Sequence, residues 1–508
     1  MDNAWRPKPG DKVVRPKRTK RHRLRRVLGV PALFSAAYGN VGSSIYYALG
    51  IVALVAMGAT PVALAIAGVL FIATALTYAE GTAMIPEAGG SASFARHGFN
   101  EMVGFISGWA LMLSYIVTIA ISAYTISPYL GHFWAPLKEN AAAGTGVSIL
   151  IIFLLMAINV LGVRESSKVN IIATVIDLAT QLSIIIIGFV LVFSVSTLVA
   201  NMFGEGNWPP SWSQLTGGIP DHWPGLSALI FGIAMASLAF TGVETVSQMA
   251  EETKRPEVRA PQTLVLMTVA VLVMFAGISL VALSVMTPQE LGDPVNGWAK
   301  DPVAGIAAHL PEGVMQTIYM PLVAVLAATI LVIATNAGLL GISRLSFSLG
   351  SHRQLPSVLS RIHSRYRTPY FSIVLFCTIA ALILIPGFFG GDFFESLGAL
   401  YTFGSLLSFA LAHASIVALR IRQPEANRPF RLPLNVRIKG RHIPVTAVVG
   451  LIATLAIWVI IIATQPYSRY VGFGWMAVGL VVYYLYRRHE GLPLAQPPPK
   501  STRPPSTE

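Results

Sequence analysis

Long apolar runs separated by short polar stretches make up nearly all of the chain between residues 28 and 488. A helix needs about 20 apolar residues to cross a hydrocarbon core about 30 Å thick. By that measure the pattern predicts twelve crossings, at 31–57, 62–85, 101–131, 146–163, 169–199, 225–248, 262–287, 313–341, 370–388, 393–419, 443–464 and 470–487. Nothing remains for a soluble domain. The expected fold class is all-α: a polytopic membrane protein with 12 transmembrane helices.

The basic residues support that count and give it a direction. With the N-terminus in the cytoplasm and each segment crossing once, 33 of the 36 Lys and Arg fall on cytoplasmic stretches, and only Lys138, Lys300 and Arg469 fall outside them. An error of one crossing would scatter them over both faces. The expected protein is therefore multi-pass in the plasma membrane, with both termini cytoplasmic. Its expected parts are a basic N-terminal tail (1–27), a core of ten helices (28–420), a basic loop with helices eleven and twelve (421–488), and a disordered Pro-rich tail (489–508).

Composition narrows the function. Hydrophobic residues are 54% and charged residues 12%, where an ordinary soluble domain carries about 25% charged. That excludes a disordered chain, a coiled coil and a soluble enzyme. The single cysteine, Cys377, excludes a disulfide framework and a cysteine-based zinc site. The net charge of +13 could suggest nucleic acid, but it sits on the cytoplasmic stretches, where anionic headgroups are the expected contact. No nucleic-acid partner is expected. No Walker sequence, HExxH or Cys/His set with metal spacing is present, so an enzyme or ATP-driven pump is not expected. No cofactor is expected either, beyond a coupling ion, a proton or sodium.

Two segments are not smooth apolar helix. The first contains Tyr38-Gly39-Asn40-Val41-Gly42-Ser43-Ser44, and the sixth Ala236-Ser237-Leu238-Ala239-Phe240-Thr241-Gly242 with Glu244 beyond. Either alone would equally fit close helix packing through small residues. Segment one opens a block of five crossings and segment six opens the next, which is inverted because five is odd. Corresponding interruptions in two inverted halves point to a transporter's substrate site. Gly42, Ser43, Ser44, Phe240, Thr241 and Gly242 are thus the candidate substrate-binding residues. Few acids lie within spans. Asp177 stands eight residues, about 12 Å, into segment five. It reads as an ion-coupling group or as a neutral, hydrogen-bonded structural acid. Glu80 and Glu244 lie near cytoplasmic ends and read as structural, with gating as their other use. His413 reads as a packed or hydrogen-bonded histidine.

Four stretches together resemble the amino acid–polyamine–organocation superfamily of permeases, nearest its cationic amino acid transporter-like branch. They are Tyr78–Gly81 with Ile85–Ser91, Gly162–Asn170, Thr241–Glu244 through Glu251–Pro256, and Ser343-Arg344 through Gln354–Pro356 with Arg367–Tyr370. They lie in order on the expected cytoplasmic faces, and the resemblance covers about residues 28–440. It implies a five-plus-five inverted repeat (a LeuT-like fold) with broken helices 1 and 6, two extra helices, and alternating access. It also implies that amides at Gly42-Ser43-Ser44 receive a substrate carboxylate and that Phe240 covers the substrate. Three positions depart from the family pattern: Ser44 for a glycine, Ser114 for a Glu on helix three, and Asp177 for the lysine of proton-coupled members. The run Asn40–Tyr47 also resembles potassium importers, which carry an acid where this chain has Asn40. The expected function is a secondary active transporter for amino acids or related organic cations. The alternatives are a potassium importer of the same fold, which would gather Tyr47, Asp177 and helix-one carbonyls, and a non-transporting membrane sensor.

Overall fold

The computed structural model describes residues 26–162, 167–204, 224–366, 368–390, 393–438 and 440–496. The basic tail before residue 26, residues 163–166 of the 162–170 stretch, residues 205–223 and the Pro-rich end from 497 lie outside the described residues.

Among the described residues, ten helical runs are long and apolar enough to cross a membrane by length and composition. They hold the first eleven expected crossings, because segments one and two fall in one 55-residue run, Val30–Met84. That run comprises α1 (Val30–Val41), a 3-10 turn (Gly42–Ser44), α2 (Ile45–Ala56), a second 3-10 turn (Met57–Ala59) and α3 (Thr60–Met84). It folds back on itself at Met57, whose φ is +47°. The reversal is visible in its neighbours. Ser44 and Phe71 both meet the 239–240 stretch, and a side chain added at Gly232 would meet both Ala56 and Ala63.

The chain continues as α4 (Ser91–Gly98), α5 (Glu101–Leu130), α6 (Ala141–Val160), α7 (Ser167–Ile187), α8 (Val195–Phe203), α9 (Pro224–Ala236), α10 (Glu244–Gln248), α11 (Pro256–Val285), α12 (Val314–Ser351), α13 (Tyr370–Ile383) and α14 (Phe393–Arg422). After the hairpin β1 (Asn435–Ile438) and β2 (Arg441–Pro444) come α15 (Val445–Thr464) and α16 (Pro466–His489). The hairpin corrects the all-α expectation. It lies in the basic loop, pairs Asn435 with Pro444 through Ile438 with Arg441, and turns at Gly440, φ +78°. Segment five, expected as one helix over 169–199, is two: a π turn at Gly188–Val192 ends α7, and the Ser194 hydroxyl accepts from Thr197 N–H to start α8. The twelfth expected segment is the helix α16 but is not one of the ten runs. Its tyrosines, Trp475 and Arg469 lower its hydropathy.

Lipid gives helices no hydrophobic drive to associate, so close packing and interhelical hydrogen bonds hold the bundle. Trp109 on α5 and Trp475 on α16 show both. Each indole N–H donates to the other's backbone carbonyl, at 2.8 and 2.9 Å, the rings stack at 4.5 Å, and Gly479 leaves room beneath Trp109.

Both ends of α1–α2 are covered. At the arginine-rich end, the Val27 and Leu28 N–H groups donate to Glu252 O and Lys254 N–H donates to Leu28 O, while Arg344 holds Glu252 at 2.9 Å. At the other end, the connection between α11 and α12 packs backbone to backbone on α2, with Ala299 against Gly50 and Ala53 against Gly292. Lys138 pins that connection through Asp301 at 2.8 Å.

Candidate functional site

The two interrupted segments do meet, but they are interrupted to different degrees. At Gly42–Ser44 the helix is tightened rather than opened: Gly42 keeps φ −67°, ψ −29° and Ser44 φ −65°, ψ −20°. The small residues allow a 3-10 turn without releasing the backbone. The sixth segment is broken outright. A 3-10 turn at Ser237–Phe240 ends in extended Thr241 (φ −80°, ψ 156°), Gly242 has φ +107°, and α10 resumes at Glu244. The expectation of two broken helices therefore holds for the sixth and not for the first.

All six candidate substrate residues are buried, and Phe240, the most accessible side chain among them, is 3% exposed. The Ser44 hydroxyl lies 2.8 Å from Ala239 O and against Val41 O, joining the two interruptions. The Ser43 hydroxyl donates to Asn40 O at 3.0 Å. Asn40 Nδ2 donates to Thr245 at 2.9 Å, and the Thr241 hydroxyl donates to Leu238 O at 2.8 Å. Phe240 stacks on Phe71 at 5.2 Å and meets Phe275 at 5.3 Å. Gly242 presses on α1: a Cβ there would stand 2.9 Å from Val41 Cγ2 and 3.0 Å from Asn40 Nδ2. Gly242→Ala is therefore expected to cost about 1–3 kcal/mol of backbone strain. It should lower the thermal midpoint of purified protein, with transport falling further than stability because the same residue sets the gap between α1 and α10.

Asp177 is fully buried and well served. Tyr46 Oη donates to Oδ1 at 2.5 Å, while Tyr38 Oη at 3.0 Å and Gln181 Nε2 at 2.7 Å donate to Oδ2. Three donors and, among the described residues, no paired Lys or Arg suit an ionised carboxylate, which only accepts. Gln181 lies one turn along α7. Tyr38 and Tyr46 stand on either side of the Gly42–Ser44 turn, and the Tyr38 ring lies on Gly42. Asp177 thus clasps α7 to both halves of the first segment. Two tyrosines eight residues apart beside that turn were the signal for this clasp, and sequence reasoning passed over them.

Glu80 is part of an ion pair that spacing could not reveal. Arg420, 340 residues away, donates Nε to Oε1 at 2.7 Å and a terminal nitrogen to Oε2 at 2.6 Å. Leu432 N–H adds 2.8 Å to Oε2, and Arg428 Nε stands 3.5 Å from Oε1. His413 is hydrogen-bonded as expected, to Thr77 at 2.8 Å and Thr74 at 3.2 Å. Glu244 is fully buried; its Oε2 accepts the Gly242 N–H at 3.0 Å and its Oε1 has no partner. Outside the bundle core, burial alone would raise the Glu87 carboxyl, but His97 and Arg96 outweigh it and hold that group well below the usual carboxylate range.

A family model described as amino acid permease matches residues 28–485. The chain belongs to the amino acid permease family. It is a multi-pass membrane transporter and not an enzyme. Among curated relatives, the permease is 27% identical to a methylthioribose transporter of Bacillus subtilis, over 97% of this chain and 99% of that one. It is 26% identical to the branched-chain amino acid permease BcaP of Bacillus subtilis, over 92% and 95%. It is also 26% identical to cationic amino acid transporter 2, vacuolar, of Arabidopsis thaliana, over 82% of this chain and 63% of the relative. All three fall within the superfamily that the sequence motifs resemble.

Proposed function

We propose that this permease moves amino acids or related organic cations across the plasma membrane by alternating access, driven by a proton or sodium gradient. Its twelve crossings would form a five-plus-five inverted repeat with two added helices and cytoplasmic termini. The observation that carries the reading is the broken sixth segment pressed on the Gly42–Ser44 turn. Extended Thr241 and left-handed Gly242 interrupt the helical ladder at a buried position, where irregular backbone is tolerated only against protein or a cavity. In this reading Gly42, Ser43 and Ser44 receive the substrate carboxylate once their turn opens, since the Gly42 N–H is held by Tyr38 O here, while Phe240 covers the substrate and Thr241 and Gly242 offer carbonyls to its ammonium group. Movement of α1 and α2 would strip Tyr38 and Tyr46 from Asp177, leaving an acid able to take up the coupling proton or sodium. Glu80, tied to Arg420, acts structurally rather than as a gate.

The potassium alternative loses support because its oxygens are not gathered. Asp177 is engaged by Tyr38, Tyr46 and Gln181, while the Tyr47 hydroxyl has no partner. The sensor alternative has no observation in its favour.

Purified permease screened by thermal shift against amino acids, methylthioribose, polyamines and potassium is the direct test. A ligand that prefers the native state raises apparent stability, by about 2.7 kcal/mol at one hundred times its Kd. Stabilisation by potassium alone would overturn the reading. Orientation is tested by cysteine labelling. Single cysteines in 205–223 should react from outside the cell and those in 425–441 should not; the reverse pattern inverts the topology.

A further inference from the structure

The β1–β2 hairpin is the one sheet among the described residues, and the proposed transport cycle does not use it. Its register puts Val436, Ile438 and Ile443 on one face, with Arg441 beside Ile438 at the tip. Asn435, Arg437 and His442 share the other face. All four side chains of β1 are exposed, Val436 at 50% and Ile438 at 49%. A lone two-stranded hairpin is marginal in water. Here β2 rests on α14 and the Val445 N–H donates to Leu434 O at 2.9 Å, but the apolar side chains of β1 stay half uncovered.

Position and charge indicate what covers them. Pro444 is followed directly by α15, one of the ten runs long enough to cross a membrane. Four strand residues span about 13 Å, so the tip stays near the headgroup layer that flanks the hydrocarbon core. Arg431, Arg437 and Arg441 are exposed, and none of them is in an ion pair among the described residues. No Asp or Glu occurs from 426 to 489. Apolar side chains next to uncompensated arginines suit an anionic leaflet. A partner strand suits them less, because the free edge of β1 is only four residues long and carries Arg437, a charge that resists strand addition. The root of the hairpin is held firmly. Leu432 N–H donates to Glu80 on α3, Arg428 stands beside the same carboxylate, and Arg428 also donates to Leu419 O on α14.

We propose that the β1–β2 hairpin is a docking surface for the anionic lipid leaflet at the arginine-rich end of the bundle, and that docking braces the Glu80 ion pair through Leu432 and Arg428. Val436, Ile438 and Ile443 sit at the acyl boundary. Arg441 meets headgroup phosphates, while Arg431 and Arg437 add attraction within a Debye length of about 8 Å. Anionic lipid thereby stabilises the permease at a place apart from the interrupted segments, whatever solute it carries.

Nitroxide labels on the two faces test this in nanodiscs of phosphatidylcholine with and without phosphatidylglycerol. Cys377, the only native cysteine, is buried, so Val436→Cys and His442→Cys each carry one label. In the anionic discs the Val436 label should meet dissolved oxygen, which concentrates in the bilayer, and the His442 label should meet a water-soluble nickel chelate. Arg441→Gln should lower the docked-to-free ratio about fivefold, the effect of one cation at an anionic surface. Both labels open to the chelate would overturn the proposal. Both shielded from either reagent would make the face a protein-docking surface and overturn it too. An oxygen preference equal in the two lipids would make the contact merely apolar and sink the anionic assignment. The bracing is read from inactivation half-lives: wild type should last longer in the anionic discs, and the double variant Ile438→Asp with Arg441→Gln should lose that gain. An equal gain in both overturns the bracing.

Discussion

Arg420→Met is expected to destabilise the folded protein by about 3 kcal/mol, and Glu80→Gln by about 5 kcal/mol, the two ends of the range for removing one partner of a buried ion pair. Both side chains are buried, at 5% and 1% exposure. The order follows from what each variant leaves behind. Without Arg420, Glu80 keeps the Leu432 N–H at 2.8 Å and the Arg428 guanidinium at 3.5 Å. In Glu80→Gln the amide oxygen can still accept one bond, but Arg420 faces an NH2 donor in place of the second oxygen and loses the only carboxylate paired with it among the described residues. Arg428 is less affected, because it also donates to the carbonyls of Pro424, Ala426, Leu419 and Gln423. Inactivation half-lives of both variants in one detergent at a fixed temperature check the order. Equal half-lives, or a longer-lived Glu80→Gln, would mean that water reaches the pair.

Asp177→Asn is expected to reduce gradient-driven accumulation to simple equilibration while leaving solute exchange within several-fold of wild type. The amide keeps the shape of the carboxylate. Its oxygen can still accept from Tyr46 or Tyr38, and the hydroxyl facing its NH2 group can turn to accept. The clasp on α1 and α2 therefore survives in outline, but the side chain can no longer ionise or take up a cation when they withdraw. Counterflow and net uptake in proteoliposomes separate the two. Accumulation matching wild type across external pH and sodium would make Asp177 a packing residue. Loss of exchange together with accumulation would place it in the binding site itself.

The sequence alone determined the lipid-facing character of this protein, its helical class and the superfamily its motifs resemble. These depend on local quantities: the length of apolar runs, the placement of Lys and Arg, and short motifs. It also marked the sixth interruption correctly, because a glycine after Phe240-Thr241 can take the φ of +107° that other residues resist. It marked Gly42–Ser44 as a break of the same kind, and there only the neighbours could decide. With Tyr38 lying on Gly42 and Ser44 bonded to Ala239, a 3-10 turn is held within helical angles. Partnerships were equally out of reach. The tyrosine donors to Asp177 come from 131 and 139 residues away, and the arginine that neutralises Glu80 comes from 340 away. An acid's state depends on which donors the packing brings to its two oxygens, and no spacing along the chain encodes that. Hence the three acids that the sequence places within spans differ in the fold: Glu80 ion-paired, Asp177 hydrogen-bonded at both oxygens, and Glu244 with one oxygen bare.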